Sequence, residues 1–233
     1  YARERLAEAG ENASEHSTGF LTPAREAAHL SKRVLESGII DAGDVEELEK
    51  YFFQSLQAET QIAGIYFGDE VGNFVYVMRS DGPGQFRTKI IQPSLAASAA
   101  QLIWRDESFA VAATQIDEAD SFDPRQRPWY KSAKRQKNTI WTEPYIFFSS
   151  RQPGVTVAIP VLDDGSFIGV VGVDIEISSI SNFLSQLMLS KRGSALILDE
   201  SGKVIAHPRM TQIMKSDGNT ALNLVGIKDI DDP

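Results

Sequence analysis

The chain has 233 residues, 42% of them hydrophobic and 24% charged, with a formal net charge of −9 and a pI near 4.9. That length holds one large domain or two small ones, each with a real core. The acidic balance speaks against nucleic acid, because phosphate binding needs clustered Lys and Arg. The absence of cysteine removes disulfides, zinc thiolates and thiol nucleophiles.

No apolar run approaches the roughly eighteen residues of a membrane-spanning helix. The chain opens on Tyr1 directly in helical sequence, without a signal peptide, and so reads as a segment of something longer. Residues 1–37 are predicted as one long helix, with Phe20, Leu21, Ala24, Ala27, Ala28, Val34 and Leu35 forming an apolar stripe. Its first half is much more polar, which suits either projection from the body or pairing with a second copy. Pro23 should kink or restart it, with Thr22 as the cap. Ser37-Gly38 ends it, and Asp44 opens a shorter helix carrying Val45, Leu48, Phe52 and Leu56 on one side.

From Ile62 the period becomes that of strands. Ile62–Phe67 and Phe74–Met78 flank a turn at Asp69–Asn73 and read as a hairpin, and Arg87–Ile91 is a third strand. The Ala-rich stretch Ser94–Leu102 fits either a helix or a packed loop. Ile140–Phe148, Val155–Leu162 and Phe167–Ile175 are predicted strands, the last two joined by the turn Asp163-Asp164-Gly165-Ser166. Ser178–Leu189 is predicted as an amphipathic helix capped by serine. After Gly193, Ser194–Leu198 and Lys203–His207 repeat the strand–turn–strand pattern around Asp199-Glu200-Ser201-Gly202. Residues 210–233 should be partly irregular.

The chemistry concentrates in Phe122–Tyr130, FDPRQRPWY. Asp123-Pro124 signals a turn, and Arg127-Pro128 opens a short helix from Trp129 to about Lys134. Arg127 in the entering loop puts a guanidinium beside Trp129 and Tyr130, an arrangement suited to gripping a carboxylate. Asp174 ends an otherwise apolar strand, where a carboxylate is costly to bury without partners. His16 and His29 belong on the surface of the long helix, and His207 reads as a structural turn residue. The basic run Lys131–Lys137 reads as a solvated helix face. No phosphate loop, nucleophile elbow, dinucleotide fingerprint, metal-ligand spacing or Ca²⁺ loop is present in the sequence; neither catalysis nor a cofactor or metal is expected of this segment.

These features, in order, resemble the double Cache (dCache_1, PAS-like) extracytoplasmic sensor domain of bacterial transmembrane receptors: a long helix, FDPRQRPWYKSA, WTEPY, the pair GVTVAIPVLDDGSFIGVVGVDI, a linking helix and ALILDESGKVIAHP. The resemblance implies an α+β fold, with a long N-terminal helix and two PAS-like antiparallel-sheet modules, the second incomplete. The implied parts are a helical stalk with the second helix (1–60), a membrane-distal ligand-binding module (61–177), a linking helix (178–192) and a partial membrane-proximal module (193–233). Amino-acid-binding members carry Tyr, four residues, Arg, any, Trp-Tyr, then Tyr-any-Asp and a further Asp. Arg127, Trp129, Tyr130, Tyr145 and Asp174 match this pattern. Phe122 replaces the first Tyr, and Phe147 replaces the carboxylate two residues after Tyr145. In that site Arg holds the ligand carboxylate and the acids hold its ammonium, so the Phe147 departure weakens the cation end and leaves the anion end intact.

The implied function is sensing of a small carboxylate-bearing ligand, such as an amino acid or organic acid, by a receptor of histidine kinase, chemoreceptor or cyclase type. The domain would be periplasmic, in an inner-membrane protein with flanking membrane helices, and would form a homodimer through the N-terminal helix. The rival expectation is a ligand-free dimerisation or protein-docking module, which the changes at Phe122 and Phe147 favour.

Overall fold

The computed structural model describes residues 2–93, 99–186, 195–199, 201–208, 214–215, 223–224 and 226–229, with side chains considered from Gly19 onward. Helix α1 spans Ala2–Glu36 and runs through Pro23 without a break, so the expected restart does not occur. Proline removes one backbone donor and crowds the carbonyl four residues earlier, here that of Gly19. Ala24, Ala28, Ser31 and Leu35, spaced four, three and four apart, form its buried edge. Gly38, at φ +69°, lets the chain turn off the helix.

Helix α2 (Val45–Ala58) starts where Asp44 accepts from the Glu47 amide at 3.1 Å. The strands follow as β1 (Gly64–Asp69), β2 (Phe74–Arg79), β3 (Phe86–Ile91), β4 (Ala100–Arg105) and β5 (Val111–Asp117). After them come helix α3 (Pro128–Gln136), β6 (Ile140–Trp141), β7 (Tyr145–Ile146), β8 (Pro153–Asp163), β9 (Ser166–Glu176) and α4 (Ile177–Gln186). The remaining described pieces are β10 (Ile197–Leu198), β11 (Val204–Ala206), β12 (Met214–Lys215) and β13 (Asn223–Leu224).

Chain contacts divide the molecule into two compact units, one of residues 24–142 and 156–174, the other of residues 1–23, 143–155 and 175–233. In the first, the antiparallel order β5-β4-β3-β2-β1-β9-β8-β6 forms the sheet. Its α2-facing side is sealed by Leu48, Phe52, Phe53 and Leu56, all buried. On the same side, Glu49 of α2 holds Arg105 of β4 through two contacts of 2.6 and 2.8 Å and accepts from Thr88 of β3 at 2.6 Å. Arg79 of β2 donates to the carbonyls of Leu56, Glu59 and Ile62, tying the end of α2 to the sheet.

In the second unit, Phe20 of α1 stacks on Phe183 of α4 at 4.7 Å, and β7 pairs with the first residues of β8. The hairpin of β10 and β11 turns on Asp199, whose Oδ1 accepts from the Ser201 and Lys203 amides at 2.8 and 2.9 Å. The β1–β2 hairpin turns in the same way: Asp69 Oδ1 accepts from the amides of Val71, Gly72 and Asn73. Gly72 and Gly202 both take positive φ there, +97° and +81°.

Several predicted elements need correction. The Ile140–Phe148 strand is two pairs of residues, because Pro144 in Thr142-Glu143-Pro144 lacks a ladder donor. The end of the Ala-rich stretch belongs to β4, a strand; residues 94–98 lie outside the described residues. Strand β5 was not predicted: it is the exposed end of the sheet and carries no clean alternation. Helix α4 begins at Ile177, so Ser178 is no cap, and its hydroxyl instead contacts Glu176; residues 187–189 lie outside the described set, as do most of residues 210–233. The α+β class is as expected.

Candidate functional site

Register defines the second face of the sheet. Gly64 pairs with Asp174 and Met78, Met78 with Arg87, and Arg87 with Trp104. In the next row Tyr66 pairs with Gly172 and Tyr76, and Tyr76 with Lys89. Directly paired residues point the same way and neighbours along a strand point oppositely. Asp174, Tyr66, Tyr76, Arg87 and Lys89 therefore share the face away from α2.

Asp174 is 3% exposed. A buried carboxylate is tolerated only with strong hydrogen bonds, and three hydroxyls supply them: Thr156 Oγ1 and Tyr66 Oη reach Oδ1 at 2.5 and 2.8 Å, and Tyr76 Oη reaches Oδ2 at 3.2 Å. The strands are shaped for these tyrosines. A Cβ on Gly172 would stand 2.1 Å from the Tyr66 ring, and one on Gly64 would stand 2.3 Å from the Tyr76 ring. Glycine is required at both positions so that the rings can lie on the backbone.

Opposite the sheet lies the segment leading into α3. Asp120 Oδ1 accepts from the Phe122 amide at 2.8 Å, and Asp123 accepts from the Arg125 amide at 2.9 Å to start the turn Pro124–Gln126. The Arg125 guanidinium holds the Asp123 carboxyl below its ordinary range. Arg127 is extended (φ −80°, ψ 149°) because Pro128 follows it; it is the residue before the first turn of α3. The residue is half-buried, and its guanidinium lies 5.7 Å from the centre of the Phe122 ring.

Phe122 packs on Phe74 at 4.7 Å, and Trp129 packs on Tyr66 at 4.7 Å and on Phe74 at 6.3 Å. The structure thus groups Asp174, Trp129, Phe122 and Arg127 around Tyr66, Phe74 and Tyr76. Tyr130 faces elsewhere: its ring meets Phe167 and its hydroxyl donates to the Asp69 carbonyl at 3.1 Å. Burial first, then the charge of Glu70, raises that hydroxyl's pKa above its ordinary value.

Tyr145 and Phe147 belong to the other unit, where their rings meet edge to face at 5.2 Å. Phe147 is buried over Gly154, whose Cβ would fall 2.0 Å from the ring. His207 is buried just after β11. His29 is exposed on α1, as expected, and the side chain of His16 lies outside the described residues.

Sequence reasoning missed Tyr66, Tyr76 and Thr156, and the two cations of β3. A signal was present: a tyrosine inside a wholly buried strand needs a partner for its hydroxyl, and both tyrosines sit in such runs. Among the described residues, no group of three or more His, Asp or Glu side chains could hold a metal ion, and no helix is long and apolar enough to cross a membrane.

Comparison with known proteins agrees with this architecture. Over 115 residues the chain is 36% identical to the methyl-accepting chemotaxis protein PscA of Pseudomonas syringae pv. tomato, covering 47% of this chain and 18% of that receptor. It spans less than a fifth of the length of the first curated relatives it matches. Among solved structures, it resembles the ligand-binding domain of the Pseudomonas aeruginosa amino-acid chemoreceptor PctC in complex with GABA (TM-score 0.61, 19% identity, 88% of this chain and 76% of that one). It also resembles the ligand-binding domain of the Pseudomonas fluorescens chemoreceptor CtaA in complex with L-valine (TM-score 0.62, 22% identity, 93% and 80%). The dCache_1 description of the Cache domain matches residues 3–232; the long helix followed by the antiparallel sheet is the arrangement of a Cache domain, and the chain belongs to that family.

Proposed function

We propose that this chain is the extracytoplasmic sensor domain of a bacterial transmembrane receptor, of the chemoreceptor type its relatives represent. It binds a small carboxylate-bearing ligand, an amino acid or an organic acid, on the sheet face under α3. Arg127 takes the ligand carboxylate, Trp129 and Phe122 wall the site, and Asp174 takes a cationic group. Tyr130 supports Trp129 from behind, its ring meeting that of Trp129 edge to face.

The observation carrying this reading is Asp174, a carboxylate buried with three hydroxyl donors in the same unit as the half-buried Arg127 and an aromatic wall. A domain that only had to fold would gain more from an apolar residue there. Ligand shifts a receptor only by its differential affinity for the two signalling states; a charge-assisted contact at each end of a small molecule is a strong source of such preference.

The test is calorimetry and thermal shift with a panel of amino acids and organic acids. Ligand at 100 times its Kd adds about 2.7 kcal/mol to the stability of the folded state. Arg127→Ala should abolish the shift for carboxylates. A panel with no response would favour a ligand-free docking module, and a response unchanged in Arg127→Ala would remove the site assignment. Pairing of two copies along α1, membrane helices on either side and a periplasmic position complete the proposal.

A further inference from the structure

The ligand face has charge at both ends of its tyrosine wall. Asp174 stands on β9; across β1 and β2, on the same face, β3 contributes Arg87 and Lys89 two residues apart. Lys89 is 2% exposed and Arg87 is half-buried. Nothing about a β-strand calls for two basic groups on a covered face, and burial lowers the pKa of both below the ordinary value. Lys89 Nζ contacts Asp120 at 2.5 Å and lies 4.6 Å from the centre of the Phe122 ring, the same ring that carries Arg127 at 5.7 Å. The Arg87 guanidinium contacts the Met78 sulfur at 3.1 Å and faces Trp104 at 6.0 Å. Asp120 acts on both cations, and Asp117 acts on Lys89. Arg127 and Lys89 are thus gathered at Phe122, with Arg87 beside Lys89 on the strand.

We infer that Arg87 and Lys89 form a side-chain subsite on β3 that selects ligands bearing a second carboxylate, so that the domain prefers acidic amino acids and dicarboxylates to their neutral counterparts. This rests on the ligand site proposed above: Arg127 takes one carboxylate, and the β3 pair, gathered with it near Phe122, meets the other. Charge-assisted contacts are the strong ones, and a guanidinium fits a carboxylate with two parallel bonds. An amide in place of the second carboxylate keeps the shape and loses the charge.

The measurement is calorimetry on the purified 233-residue chain with L-glutamate against L-glutamine and L-aspartate against L-asparagine. The expected result is a preference for the acid of each pair by roughly tenfold or more, the scale of one hydrogen bond to a charged group. In Arg87→Gln, and separately in Lys89→Gln, that ratio should collapse towards unity. Having two variants covers the case in which loss of the Lys89–Asp120 pair prevents folding. Equal or better binding of the amides, a ratio unmoved in Arg87→Gln, or no binding by any of the four would overturn the inference. If the amides bind and depend on Arg127 while the acids do not bind, the site reading stands and the β3 subsite falls. If the acids are preferred through Arg87 but Arg127→Ala changes nothing, the subsite stands and the role given to Arg127 falls.

Discussion

The Tyr76 hydroxyl stands 3.2 Å from Asp174 Oδ2, while its ring occupies the space where a side chain on Gly64 would begin. Replacing Gly64 with Ala puts a methyl group 2.3 Å from ring carbon Cε2, so the ring must move and its hydroxyl leaves the carboxylate. Overpacking of this kind costs about 1–3 kcal/mol. Urea unfolding should show a lower midpoint for Gly64→Ala at an unchanged slope; a variant as stable as the parent would mean that the ring relocates freely.

Tyr66→Phe keeps the ring packed on Trp129 and deletes the hydroxyl, with its 2.8 Å bond to Asp174 and its 3.3 Å contact to Thr156. Removing a hydrogen bond to a charged, buried acceptor costs about 1.5–3 kcal/mol. The loss should appear in equilibrium unfolding. Asp174→Asn in the Tyr66→Phe background should then cost less than it does alone, because contacting residues are not additive.

On the opposite face, Glu49 and Arg105 have side chains only 4% and 13% exposed. Breaking a buried pair from one side leaves an uncompensated charge and costs about 3–5 kcal/mol. Glu49→Gln should therefore destabilise the domain by about that much in chemical denaturation, far more than Glu47→Gln, whose contact to Lys50 is exposed. Near-equal effects would show that the α2–β4 bridge is not a scaffold.

The Asp123 carboxyl is held below its ordinary value of 3.8 by Arg125. With the folded pKa depressed, the unfolded state binds protons first as pH falls. The stabilisation is fully present above about pH 4 and is lost as pH drops through the lower, folded value. Asp123→Asn should flatten the acid limb of the stability curve and leave the neutral plateau close to the parent, since the pair is partly exposed and screened. An acid limb identical in both proteins would refute the assignment.

Much of the scaffold was legible because it obeys local rules. Asp44 before α2, the Asp-x-x-Gly turn at Asp69 and the Asp164-Gly165 turn announce themselves by residue type, and all three form where expected. Arg127 and Trp129 were legible through Pro124 and Pro128, which fix the chain around them. Strand β5 was not, because an exposed end strand has no buried face to impose alternation. The acceptor end of the site was half legible: Asp174 stood out as a charge in an apolar run, whereas Tyr66 and Tyr76 passed as ordinary strand aromatics. What makes them a unit with Asp174 is register across β2, β1 and β9, which depends on pairing partners about 100 residues away in the chain.

Because each tyrosine lies on a bare stretch of main chain, the pair acts as removable flooring. Trimming Tyr66 to Ala would expose Gly172 and leave a ring-wide trench running down to the peptide bonds of β9, a depth no substitution at the wall residues could create. Reshaping the proposed site for bulkier molecules should start there, with the glycines left untouched as its foundation.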